Sequence, residues 1–176
     1  MPSGKTHDAI TMVAAVPTFA AAWGVTGSVG LASVVTAATL FGGLMFGPDL
    51  DIQSRQYTRW GVFRFVWWPY KVAFRHRSRW THGIVFGTLI RVVYFVVALA
   101  LISAAGFYLY MTYVVGQPPD FAQFILSWRS FEAGLKWEGA FRQLSLATLA
   151  GLWWGAATHT LTDVAWSVLR KGSELF

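Results

Sequence analysis

Histidine and aspartate are the residues in this sequence best suited to holding a metal ion. The chain contains only four histidines and no cysteine, so a transition-metal site must be built from imidazole and carboxylate groups. Zn²⁺, Mn²⁺ and Fe²⁺ all accept these two kinds of ligand. The candidate ligands are His7, Asp49, Asp51, His76, His82, His159 and Asp163. Each histidine lies beside or within an apolar segment of membrane-spanning length.

The spacing within this set favours metal binding over an ordinary structural role. His159 and Asp163 are four residues apart in a helical pattern, which places them on one helix face about one turn apart. Ionisable groups inside a membrane-length helix are costly and are usually functional. Asp49 and Asp51 are two residues apart, so they face the same side of an extended segment. Taken alone, that second pair is equally suited to capping or solvating a loop.

The composition is that of an integral membrane protein. Of the 176 residues, 55% are hydrophobic and only 12% are charged, about half the charged fraction of a soluble domain. The length predicts one domain over residues 1–176. The net charge is +6, but the basic residues lie where membrane topology requires positive charge, so they do not indicate nucleic-acid binding.

Four apolar segments predict an all-α fold with about four transmembrane helices. Residues 9–25 and 29–46 are separated by a short glycine-rich turn, which predicts an antiparallel hairpin that crosses the membrane and returns. Residues 83–115 predict a third span that is long enough to tilt or to project beyond the lipid. Residues 140–169 predict the fourth span.

Two further segments are predicted to lie on the membrane surfaces. Residues 52–82 alternate basic and aromatic side chains without a continuous apolar run, which predicts a segment lying flat in the membrane interface. Residues 121–138 have helical apolar spacing and predict an amphipathic helix on the opposite surface. Arg91, in the third span, is expected to extend its side chain back to the headgroups.

Counting the crossings places all seven candidate ligands on one side of the membrane. The same side carries ten of the Lys and Arg residues, so the positive-inside rule places the ligands and the N-terminus in the cytoplasm. The first 22 residues resemble a secretory signal, but Pro17 interrupts their apolar run and favours retention. Retention keeps His7, which is expected just before the first helix. Asp8 is expected to interact with that helix's N-terminal dipole.

The motifs together resemble those of a known family. They are a histidine near the N-terminus, Gly47-Pro48-Asp49-Leu50-Asp51, His76-Arg77-Ser78 followed by Thr81-His82-Gly83, and His159 to Asp163. This order is similar to the YdjM-like family of predicted membrane-bound metal-dependent hydrolases, and most of all to a branch described as metal-binding proteins. The resemblance extends from His7 to Asp163. Five residues separate His76 from His82, a wider spacing than the family's His-Arg-Gly-x-Thr-His.

The favoured function is hydrolysis of a phosphoester or another ester at the membrane surface, with one or two divalent ions bound. Zinc is favoured, and manganese or iron would also suit these ligands. Asp51 or Asp163 is the expected general base. Arg75, Arg77 and Arg79 are candidates for holding an anionic headgroup, although ordinary attraction to acidic lipids is the slightly favoured explanation for them.

Two other functions fit the same residues. One is a non-catalytic membrane protein in which a metal ion holds the helices together. The other is a metal transporter, which is disfavoured because the ligands cluster near one interface rather than at the bilayer midplane. Membrane lipids are the expected partners, and the sequence carries no signal of oligomeric state.

Overall fold

The computed structural model describes residues 2–76, 78–120, 122, 125–126, 129–130 and 139–173. In those residues the structure is all-α, as predicted, and contains no strand. The α-helices are α1 (Gly4–Thr26), α2 (Val29–Leu44), α3 (Arg55–Arg59), α4 (Trp68–Ala73), α5 (Arg79–His82), α6 (Phe86–Tyr110) and α7 (Ala140–Ser173). Two 3₁₀ segments, Pro48–Asp51 and Gly61–Trp67, and a π-helical turn, Met111–Val115, complete the described elements.

Three helical segments are long and apolar enough to cross a membrane: Gly4–Thr26, Val29–Asp51 and Phe86–Val115. They correspond to the first three predicted spans. The fourth predicted span lies within α7, a helix of 34 residues that carries more polar side chains. A membrane crossing by α7 therefore stays a prediction. The predicted helix at 121–138 lies mostly outside the described residues.

The hairpin of α1 and α2 forms as predicted, and local capping explains its boundaries. Ser28 accepts a hydrogen bond from the backbone N–H of Leu31 and caps α2. Gly27 adopts φ +64°, the left-handed conformation that ends α1 and turns the chain. At the other end, Ser3 caps α1, so the helix begins at Gly4. His7 consequently lies in the first turns of α1 and not before the helix.

Helices α2 and α7 approach each other at backbone contact distance. A Cβ atom on Gly155 would lie 2.1 Å from the carbonyl oxygen of Thr39, and one on Gly151 would lie 2.3 Å from that of Val35. Gly151 and Gly155 form the GxxxG pattern that permits close helix packing in membranes. Only glycine fits at these two positions, so the contact aligns α7 against α2 in one register.

The basic-aromatic segment, residues 52–82, folds back on the helices instead of lying flat along its length. Trp67 is fully buried and stacks on Phe95 of α6, with ring centroids 5.5 Å apart. Phe46 and Tyr70 pack edge-on against Trp67. The opposite face stays exposed and apolar; it comprises Val62, Phe63, Phe65, Trp68 and Val72. Placement of that face in the membrane interface stays a prediction.

Arg91 does not extend to the headgroups as expected. Its side chain is 1% exposed and donates hydrogen bonds to the carbonyl oxygen of Thr81, at 2.6 Å, and to the hydroxyl of Thr88, at 3.2 Å. Thr81 lies in the short helix α5, whose carbonyl groups lack partners within the helix. Arg91 supplies one of those partners, and this fastens α5 to α6.

We expect Gly155→Ala to destabilise the protein, because the added methyl group would press on the α2 backbone and push α2 and α7 apart. Overpacking of this kind costs about 1–3 kcal/mol, so the apparent melting temperature of the detergent-purified protein should fall. Gly106→Ala in α6 is the matched control, since its Cβ would meet nothing within 4 Å. Equal melting temperatures for the two variants would contradict close packing at Gly155.

Candidate metal centre

The structure brings all seven predicted ligands together at one end of the helices. They come from four separate parts of the chain: His7 from α1, Asp49 and Asp51 from the 3₁₀ turn after α2, His76 and His82 from the loop and helix before α6, and His159 and Asp163 from α7. His82 is the last residue of α5, and α6 begins later, at Phe86. Their assignment as ligands stays a prediction, and their proximity is observed.

One group is formed by α1 and α7. His7 and His159 stack face to face, with ring centroids 3.7 Å apart and an interplanar angle of 10°. Asp163 lies beside both imidazoles: one carboxylate oxygen is 3.3 Å from His7 Nε2 and the other is 3.8 Å from His159 Nε2. Both histidines are buried. These three residues can hold one metal ion between them.

Asp49 connects that group to a second one. Its Oδ2 atom lies 3.4 Å from His159 Nε2, and its Oδ1 atom lies 3.4 Å from His82 Nε2. Asp49, His76 and His82 form a second set that can hold an ion. The two oxygens of one carboxylate therefore face two different sets of imidazole nitrogens.

The residues fit a divalent metal ion by two independent observations. Six buried side-chain atoms of the candidate ligands lack a hydrogen-bond partner: His7 Nδ1, Asp49 Oδ1, Asp51 Oδ2, His82 Nε2, His159 Nε2 and Asp163 Oδ1. Leaving such a group unpaired costs about 1–3 kcal/mol each, so together they call for a common binding partner. Two ligand atoms bound ~2.0–2.1 Å from one tetrahedral ion lie ~3.3–3.4 Å apart. The separations of 3.3–3.4 Å found here match that edge length.

Asp51 lies beside the Nδ1 atoms of His76 and His82, whereas Asp49 lies beside the Nε2 atom of His82. Its side chain has no exposed surface, and its Oδ1 atom is 2.9 Å from His76 Nδ1. Its Oδ2 atom is 3.9 Å from His82 Nδ1, and the Thr81 hydroxyl is 3.0 Å from the same nitrogen. A carboxylate on the far nitrogen of a ligating histidine fixes its tautomer and orientation. The geometry therefore favours an orienting role for Asp51 over the predicted role of direct ligand.

Gln56 supports the cluster and was not among the predicted site residues. Its side chain is 4% exposed. It donates to the carbonyl oxygen of Gly43 at 2.7 Å, accepts from the backbone N–H of Asp49 at 3.1 Å, and lies 3.4 Å from His159 Nδ1. Gly47 makes room for it, because a Cβ there would lie 2.2 Å from the Gln56 amide nitrogen. No local pattern around residue 56 signals this role.

Asp8 forms ion pairs and does not serve the helix dipole. It lies 2.7 Å from Arg55 and makes two hydrogen bonds to the Arg59 guanidinium, at 2.6 and 2.8 Å. The helix dipole acts most strongly in the first turn. Because α1 begins at Gly4, Asp8 lies beyond that turn. The hydrogen bonds that Arg59 donates to the Asp8 carboxylate raise the pKa of Arg59. This pair ties α1 to α3 close to His7.

The predicted anion-binding arginines are placed only in part. Arg75 is exposed and directly precedes His76. Arg77 and the side chain of Arg79 lie outside the described residues. The role of all three in anion binding therefore stays a prediction.

Comparison with known proteins bears on metal binding. A family model described as "Uncharacterized metal-binding protein (DUF2227)" matches residues 2–172, which include all seven candidate ligands. The chain is also similar to an uncharacterized protein of Aquifex aeolicus (strain VF5), at 39% identity over 56 residues. That alignment covers 31% of this chain and 39% of the length of that relative. No solved structure matches the chain.

We expect Gln56→Leu to weaken metal binding, because it removes the amide that positions Asp49 and touches His159. Loss of such a supporting residue typically costs about 10–100-fold in metal affinity, which a competitive chelator titration of the purified protein would measure. Gln53→Leu is the matched control, since Gln53 is exposed three residues away and its side chain accepts only from Lys71. Equal affinities in the two variants would remove Gln56 from the site.

Proposed function

Because the chain belongs to the DUF2227 family of metal-binding proteins, we propose that it is a membrane-bound, metal-dependent hydrolase that acts on phosphoesters at the membrane surface. Metal binding follows from the family, and the three apolar segments make a membrane location plausible. The proposed hydrolase activity is inferred from the resemblance to the YdjM-like family. The observation that carries the proposal is the placement of Asp49 between two sets of histidines.

The centre would hold two divalent ions, with Asp49 supplying one carboxylate oxygen to each set of ligands. The first would be held by His7, His159, Asp163 and Asp49 Oδ2, and the second by Asp49 Oδ1, His76 and His82. Imidazole and carboxylate suit zinc best among common ions, with manganese or iron as alternatives. Divalent ions bound in pairs polarise a phosphoryl oxygen and lower the pKa of a water molecule.

Charge balance relates the number of bound ions to the charge of the substrate. The centre contains three carboxylates, those of Asp49, Asp51 and Asp163, and imidazoles, which bind metal ions in their neutral form. A single divalent ion would leave a formal charge of −1, which repels an anionic ester. Two ions would leave +1, which attracts it. An anionic substrate such as a phosphoester is therefore compatible with the loaded two-ion centre.

The exposure of the cluster supports catalysis over a purely structural ion. Structural metal sites are closed by their ligands, whereas catalytic sites keep an open position. Here His76 is 30% exposed and Asp49 is 19% exposed. Of the two carboxylates expected as general base, Asp163 is 15% exposed and Asp51 has no exposed surface. We assign proton abstraction from water to the Asp163 carboxylate oxygen that would not bind the ion, and the orientation of His76 and His82 to Asp51.

The proposed location of the centre is the cytoplasmic face. Lys5 lies two residues before His7 on α1, and Arg55 and Arg59 pair with Asp8, the residue that follows His7. Positive charge near the ends of membrane helices favours the cytoplasmic side. A reporter fused to the N-terminus and tested for protease accessibility in sealed vesicles would show that side directly.

We expect the wild-type protein to bind two divalent ions per chain, measured by elemental analysis after detergent purification. His82→Ala should retain about one ion, because only the second set loses a ligand. Asp49→Ala should retain fewer ions than His82→Ala, because both sets lose an oxygen.

Asp120→Ala is the matched control, because this exposed carboxylate lies outside the cluster and accepts a hydrogen bond from the backbone N–H of Ala122. It should bind as many ions as the wild type. One ion in the wild type would overturn the bridged assignment, and no stoichiometric ion would overturn the metal centre.

We expect Asp163→Asn to abolish most phosphoester hydrolysis, since an amide cannot accept the proton that the carboxylate takes from water. General-base catalysis typically contributes about 10²–10⁴-fold, so kcat should fall by a factor in that range. Turnover of phosphomonoesters, phosphodiesters and phospholipids would be compared with that of Asp120→Asn. A metal-loaded wild type that hydrolyses none of these would favour the structural role.

A further inference from the structure

An apolar groove of about 950 Å³ runs along the helices next to the metal centre. Its walls come from α1, α2 and α7, and most of them are small or aliphatic side chains, including Ala14, Ala21, Val25, Val35 and Ala150. Its volume lies within the range of small-molecule binding sites, ~300–1,000 Å³. The few polar lining residues are Thr18, Thr26 and Gln143.

The groove has the length of one lipid tail. Along α1 it extends from Ala14 to Thr26, a distance of ~18 Å at ~1.5 Å per residue. One leaflet of the hydrocarbon core is ~15 Å thick, half of the ~30 Å core. Helices α1 and α2 are both candidate membrane spans, so the groove lies at hydrocarbon depth and parallel to the lipid chains.

One end of the groove leads toward the metal centre. Trp154 and Thr18 line that end and are joined by a hydrogen bond of 3.0 Å. His159 follows Trp154 by five residues on α7, a rise of ~7.5 Å. On α1, Ala14 follows His7 by seven residues, a rise of ~10 Å. A molecule with its polar head among the ligands can therefore place its tail in the groove.

From this continuity we propose that the groove binds the hydrocarbon chain of a membrane lipid whose phosphate group reaches the metal centre. The inference rests on the proposed hydrolase function, because it names the substrate of that site as a lipid-borne phosphoester. Two features select this occupant. The mostly apolar walls on two candidate membrane spans suit a hydrocarbon chain, and the +1 formal charge assigned to the loaded centre would attract an anionic head.

Adjacent alanines on α1 provide a matched test of the groove. Ala21 lines it, whereas Ala20 is exposed on α1 and is not part of its wall. We expect Ala21→Trp to fill the groove and Ala20→Trp to leave it open. Binding of dodecylphosphonate, a non-hydrolysable probe, to the metal-loaded protein would be measured by calorimetry. Ala21→Trp should weaken binding by at least about tenfold, since each CH₂ kept from burial costs about 0.8 kcal/mol.

Turnover separates this inference from the hydrolase proposal. With dodecyl phosphate as substrate, Ala21→Trp should lower kcat/KM and Ala20→Trp should not, while both should hydrolyse butyl phosphate at the wild-type rate. Equal dodecylphosphonate affinities for the two variants would overturn the groove assignment, whatever the turnover. Suppose that only Ala21→Trp loses probe binding and that the wild type hydrolyses no phosphate. These two results would support the groove assignment and overturn the hydrolase proposal.

Melting temperature and metal content control for misfolding of the tryptophan variants. Ala21→Trp should retain the metal content of Ala20→Trp, because the ligands lie beyond the end of the groove. If Ala21→Trp fails to fold, Val25→Trp offers a second groove-filling variant, since Val25 lines the same wall farther from the centre. Unchanged probe affinity in a folded Val25→Trp would equally overturn the assignment.

Discussion

The contact between the backbones of α2 and α7 sets the geometry on which the metal centre depends. Asp49 follows α2 by a few residues, and His159 and Asp163 lie on α7, so their separation is fixed by how closely those helices pack. The glycines at 151 and 155 allow the helix backbones to touch. Gln56 then ties the end of α2 to Asp49 and to His159. Helix packing and ligand placement are therefore parts of one arrangement.

The second half of the centre depends on a different set of contacts. His76 and His82 lie in a segment with little regular structure, and two interactions hold that segment in place. Trp67 packs against Phe46, which follows α2, and against Phe95 of α6, and Arg91 binds the backbone of Thr81. Since ligands from four parts of the chain meet here, binding of metal stabilises the whole fold and not only the site.

Much of the arrangement was predictable from sequence, and the exceptions have physical causes. The hairpin, the all-α fold and the proximity of the histidines and aspartates follow from hydropathy, glycine placement and crossing direction. The roles of Gln56 and Arg91 could not be predicted, because a side chain that binds a distant backbone group leaves no local pattern. The pairing of Asp8 with Arg59 joins residues 51 positions apart. The GxxxG spacing of Gly151 and Gly155 can be recognised in the sequence, and it marks the backbone contact between α2 and α7.

The position of Asp49 has a consequence for how the centre fills. On the two-ion assignment, the first ion to arrive orients the carboxylate and so presents its other oxygen to the second position. The ordering of that side chain is then already complete when the second ion binds. By thermodynamic linkage, the factor by which one ion changes the affinity for the other is the same in both directions. The two positions would therefore be coupled through one side chain, and loading of the centre would not follow two independent affinities.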